Sequence, residues 1–187
     1  GKSDLTSLLL ACHAFVLAEE GRFAQAYELA KLAIDITDIY PHCRELANTY
    51  NTMAGLVKYL KAPYQEAIQL HQQGYELGME NGEIARAALN YCNILFLKVS
   101  RGDKLKAIQE HSETSLALVK GKAIFFPVPK VADKLVNALI DAKAEGIDVL
   151  EDEGFETDYL AKIKSGFHIT NLYHYRAQLA FWYGDLE

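Results

Sequence analysis

No apolar run in this sequence reaches the ~18 residues that a membrane-spanning helix needs. Positive charge is in deficit. Nineteen Lys and Arg stand against 25 Asp and Glu, so the chain lacks the basic footprint of a nucleic-acid binder. Cysteine is scarce and odd in number. Cys12, Cys43 and Cys92 are far apart and form no Cys-x-x-Cys, so a disulfide framework and a zinc site are both unexpected. They read as small buried residues of a cytoplasmic, reducing compartment. Runs of alternating apolar and polar residues, the mark of half-buried strands, are hard to find. Prolines number four in 187 residues: Pro41, Pro63, Pro127 and Pro129.

What the chain does have is apolar residues at helical spacing. Half of it is hydrophobic, and the 24% that is charged is well mixed, so a folded core is expected. In "FAQAYELAKLAIDI", Phe23, Ala26, Tyr27, Ala30, Ala33 and Ile34 lie along one stripe of a helix. The pattern recurs along the chain, and the expected fold class is all-α.

The turns repeat. "EEGRFAQA" places Gly21 five residues before Ala26, "LKAPYQEA" places Ala62 five before Ala67, and "SRGDKLKA" places Gly102 five before Ala107. The intervals are 41 and 40 residues, and Gly184 in the closing "YGDLE" follows Gly102 by 82. Each unit reads as helix, short turn, helix. A small residue lets the chain reverse, and the alanine sits where the second helix presses on the first. One such unit cannot cover its own apolar faces, so the units must stack. Units are expected at about 4–38, 42–79 and 82–120, with an irregular unit at 128–165 and a truncated one at 166–187, in a single domain. "KGKAIFFPVPK" reads as a linker because of its two prolines. "VADKLVNALIDAKAEG" reads as a helix ending at Gly146, followed by an acidic loop and a short helix. The in-phase turn at Gly184 implies a piece excised from a longer protein.

This helix-turn-helix period resembles tetratricopeptide repeats, stretched from 34 to about 40 residues. The resemblance implies a right-handed superhelical stack of antiparallel helix pairs. "QQGYELGMENGEIARAALNYC", with its Asn90-Tyr91-Cys92 triplet, and "EGFETDYLAKI" before a closing aromatic helix are similar to a narrower family. That family is the helical repeat region of large signalling proteins, in which a protein-kinase-like domain and a predicted ATPase precede the repeats. A GAF domain and a sensor histidine kinase often follow. "YLKAPYQEA" departs from it in lacking a tryptophan at the turn. The repeat region is not the catalytic part of such proteins, so no catalytic residue carries over.

The residues themselves give little chemistry. "EHSETSL" invites comparison with a phospho-accepting histidine box, but His111 is followed by Ser112 and by no proline. The repeat phase puts His111, like His71, at a packing position. His168 and His174 are six apart and so on different faces of a helix, and His13 and His42 have no partner pattern. Glu151-Asp152-Glu153 lacks the alternating ligands of a calcium loop. "GMENGE" has no phosphate-loop lysine, and Gly78 and Gly82 read as the end of one helix and the start of the next. No cofactor, metal site or catalytic group is expected.

The remaining candidate is a groove. Counting by phase, Phe15, Thr52, Leu56, Tyr59, Leu89, Cys92, Phe96 and Val99 would line a concave face, joined by His174, Gln178 and Phe181 from the last helix. This surface is apolar and aromatic. It would hold a peptide or partner helix, from another module of the same polypeptide, or be filled by the chain's own "IFFPVP". The expected function is a non-catalytic interaction and regulatory arm of a signalling protein with an ATPase and a histidine or Ser/Thr kinase. The alternative is an inducer-binding repeat domain of a large ATPase-type transcription activator, with a small-molecule effector in the groove.

Overall fold

The protein is described from a computed structural model covering residues 3, 5–41, 43, 45–60, 62–120, 127–140 and 166–183, without the side chains of 56–60, 127–128, 166–168 and 170–171. Among these residues the fold is all helical. The helices are α1 (Thr6–Glu19), α2 (Phe23–Thr37), α3 (Leu46–Leu60), α4 (Tyr64–Glu80), α5 (Ile84–Arg101), α6 (Leu105–Val119), α7 (Pro127–Ile140) and α8 (Gly166–Tyr183). No described helix is long and apolar enough to cross a membrane. The chain forms two compact units, residues 1–101 and 102–187. The division falls at the turn inside the third expected helix pair, where a single domain was expected.

In the first unit, α1, α3 and α5 adjoin in order. Helix α2 packs on both α1 and α3, and α4 on both α3 and α5. The core joins Ala11, Ala14 and Leu17 of α1 to Ala26, Ala30 and Ala33 of α2 and Met53 of α3. Alanines dominate because a helix wedged between two others must approach both closely. Ser7 Oγ donates to the Ala33 carbonyl at 2.8 Å, and the Thr37 and Tyr50 hydroxyls meet at 3.3 Å. In the second unit α7 packs on α6 and α8. Tyr183 donates its phenolic hydrogen to the Ala138 carbonyl at 2.7 Å.

Two helix ends show how the turns close. After α1, Arg22 N–H reaches the Leu17 carbonyl and Gly21 N–H that of Ala18. After α4, Glu83 N–H reaches Gly78 and Gly82 N–H reaches Met79. These paired bonds need a left-handed residue, and Gly21 and Gly82 supply φ of 75° and 73°. Gly82 therefore closes α4, where it was expected to start the next helix. Gly78 does not end the helix. It lies within α4, where a Cβ would come within 2.9 Å of Ala87.

Two further expectations are corrected. Pro127 and Pro129 do not exclude a helix: they occupy the first turn of α7, where backbone N–H groups have no partner within the helix. Residues 121–126 of the expected linker lie outside the described ones, as do 141–165. The second correction concerns phase. Helices α2, α4 and α6 begin at Phe23, Tyr64 and Leu105, two steps of 41 residues. Their buried residues keep that step: Ala26, Ala30, Ala33 and Thr37; Ala67, His71, Gly74 and Gly78; Ile108, Ser112, Ser115 and Val119. Ala107, the expected packing alanine, is exposed, and Ile108 takes its place at 2% exposure. The glycine of the third turn sits one residue earlier relative to the helices it joins, and Ala107 follows the glycine rather than the core. The counterpart of His71 is thus Ser112, although His111 is buried as well.

Ala67→Leu should therefore overpack the first unit and cost about 1–3 kcal/mol. Ala107→Leu should stay within about 0.5 kcal/mol of the parent. Urea unfolding midpoints of the two variants separate these outcomes.

Candidate functional site

The Asn90 of the Asn-Tyr-Cys triplet is fully buried, and it ties three helices together. Its Nδ2 donates to the Ala47 carbonyl of α3 at 2.8 Å and to the Arg86 carbonyl, one turn back on α5, at 3.1 Å. Its Oδ1 lies 2.9 Å from His71 Nδ1 on α4. With both amide hydrogens spent on carbonyls, Oδ1 must be the acceptor, so His71 carries a proton on Nδ1. Room for this amide comes from Gly74, where a Cβ would stand 2.6 Å from Asn90 Oδ1. The triplet and the glycine-containing helix before it therefore form one structural tie. Tyr75 and Tyr91 flank it with ring centroids 5.1 Å apart.

Within the first unit, the expected groove residues whose side chains are described do not share one open face. Cys92 and Phe96 are buried and present no open face. Phe15 is exposed on α1, while Thr52, Leu89 and Val99 are half-buried. The side chains of Leu56 and Tyr59 lie outside the described ones. His174, Gln178 and Phe181 belong to the second unit. There, His174 and Phe181 are exposed. Gln178 Oε1 is buried with no hydrogen-bond partner among the described residues.

A different strip is open in the first unit. Residues Asn48, Asn51, Thr52 and Gly55 follow one another at helical spacing on α3, and all are half-buried. On α5, Arg86, Leu89 and Asn93 do the same, and 48/89 and 52/93 are one 41-residue step apart. Asn93 Nδ2 donates to Asn51 Oδ1 at 2.8 Å across the two helices. This leaves Asn51 Nδ2 and Asn93 Oδ1, a donor beside an acceptor, without partners among the described residues. Arg86 likewise makes no ion pair among them. The strip is polar where an aromatic groove was expected. Asparagine carries no apolar signal, and half-burial is not legible in sequence, so nothing in the apolar pattern points to these amides.

In the second unit the "EHSETSL" segment packs. Ser112, fully buried, donates to Asp133 Oδ1 at 2.8 Å. Asn137 Nδ2 reaches the other carboxylate oxygen at 3.1 Å, and Gln109 Nε2 reaches Asn137 Oδ1 at 3.3 Å. This polar ladder joins α6 to α7. Among the described residues no group of three or more His, Cys, Asp or Glu is placed to hold a metal ion. Glu151-Asp152-Glu153 lie outside the described residues, and so does His42; of His168 only the helical backbone is described. No family model, curated protein or solved structure matches the chain.

Asn90→Ala would strip the His71 Nδ1–H of its buried acceptor, at a cost of about 1–3 kcal/mol. Gly74→Ala should destabilise too, by roughly 1–3 kcal/mol, because the added methyl displaces the amide. Helix propensity alone would make that alanine stabilising by about 1 kcal/mol, so the sign of the change in thermal unfolding decides between propensity and packing.

Proposed function

We propose that the chain is a non-catalytic interaction module: a tetratricopeptide-like right-handed stack of antiparallel helix pairs that holds an extended peptide segment along the α3/α5 strip. The carrying observation is the half-buried Asn51–Asn93 amide pair, with Arg86 two turns away along α5. A free amide N–H next to a free amide oxygen matches the acceptor and donor of a peptide backbone. A guanidinium on the same strip suits a carboxylate of that peptide, side-chain or C-terminal. The 41-residue recurrence of buried positions along α2, α4 and α6 supports the stacked arrangement. In this reading the module is a regulatory arm of a multidomain signalling protein, and the bound segment belongs to a neighbouring module or a partner.

Selection of peptides from a displayed random library, followed by fluorescence anisotropy, tests the reading. The expected result is a family of acidic peptides whose affinity falls at least about tenfold, or 1.4 kcal/mol, with Arg86→Ala. The unfolding midpoint of that variant should be unchanged. No enrichment, or binding indifferent to Arg86 and Asn93, would remove the proposal.

A further inference from the structure

The 41-residue register assigns a partner to a surface that the α3/α5 strip does not include. On α3, Leu46, Tyr50 and Met53 are buried at one helical spacing, and α2 meets this side through the Thr37–Tyr50 contact and the alanines around Met53. On α5 the residues one step later are Ala87, Tyr91 and Ile94. Ala87 and Ile94 are buried, Tyr91 is half-buried, and α4 covers that side with Gly78 against Ala87. Leu97, further along α5, packs on Ala67 of α4. The same interface thus forms twice, each time with a helix whose contact stripe is small.

One step earlier stand Leu5, which caps the start of α1, and Leu9 and Cys12 within it, and the counterpart of Leu97 is Phe15 two steps back. All four are exposed, Leu9 by 64%, and Val16 beside them by 51%. Four of these five are large apolar side chains facing solvent on one side of one helix. That concentration marks an interaction surface rather than scattered surface residues. Ala11, Ala14 and Leu17, on the other side of α1, are already buried in the core it shares with α2 and α3. Phe15, expected in the concave groove, belongs by register to this stacking face.

We propose that the Leu5–Leu9–Phe15–Val16 face of α1 is a docking surface for an α-helix carrying small residues at i, i+4, i+7 and i+11. That helix lies on α1 as α2 lies on α3 and α4 on α5. The occupant is defined by what the two formed copies of the interface use: Ala26, Ala30, Ala33 and Thr37 on α2, and Ala67, His71, Gly74 and Gly78 on α4. Large residues on α1 fill the space that such a stripe leaves, and a bulky stripe would hold the helices apart. The surface continues an interface already present in the molecule, so its geometry is set by the same backbone spacing.

The test appends a second copy of residues 1–41 directly ahead of Gly1 of the full chain, so that the copied α2 enters at the 41-residue step. The expected result is a rise in Tm of about 4 °C or more over the parent. Leu9→Glu in the original α1 should abolish that rise. In the parent chain the same substitution should leave Tm unchanged, since Leu9 is exposed there. No rise, or a rise that Leu9→Glu does not affect, overturns the proposal. Sedimentation velocity of the parent chain adds one more arm. A dimer that Leu9→Glu converts to monomer would make a second copy of the chain the occupant, and would overturn the assignment of a small-stripe helix.

Discussion

The close approach of α4 to α5 governs the first unit. Asn90 can place one amide against α3 and α4 at once only because Gly74 offers no side chain beneath it. A buried amide with all its groups paired is rigid, since any displacement leaves a polar atom orphaned in a low-dielectric surround. The hydrophobic contacts of α3, α4 and α5 are non-directional and would tolerate sliding. The amide does not, and it fixes the register at which the small stripe of α4 meets α5. Much of the rest follows from that register. It brings Asn51 within reach of Asn93, and it leaves Arg86 on the half-buried strip.

The second unit is tied differently. Ser112 and Asp133 join α6 to α7 with a hydroxyl and a carboxylate, where the first unit uses an imidazole and an amide. Ser112 nevertheless occupies the same repeat position as His71. The position is buried in all three helices, as Ala30, His71 and Ser112, and its chemistry differs in each. His71 serves there as a hydrogen-bonding group of the core, and His111, one residue before Ser112, is buried beside that position.

The helical class was legible because apolar spacing and turn residues agree. The stripe from Phe23 to Ile34 lies within α2. The phase of the third turn was not legible. Gly102 and Ala107 keep their mutual spacing, and only three-dimensional packing reveals that Ile108 holds the core position. The prolines at 127 and 129 misled for a related reason: proline forbids a helix interior but suits its first turn, and sequence does not say which applies. The candidate strip was hidden by chemistry. Helix α5 is buried on several sides, from Ala87 and Asn90 to Leu97, so an apolar count cannot single out its open face. Cys92 and Phe96 were consequently placed on a surface from which they are absent.

The most direct test of the central tie is the ring of His71 in a long-range proton–nitrogen NMR spectrum. The account predicts a proton on Nδ1, slow to exchange with solvent, and correlated through space with the buried Asn90 side-chain amide. An unprotonated Nδ1, or a ring proton exchanging as fast as that of an exposed histidine, would contradict it. The register of α4 on α5 would then need another cause.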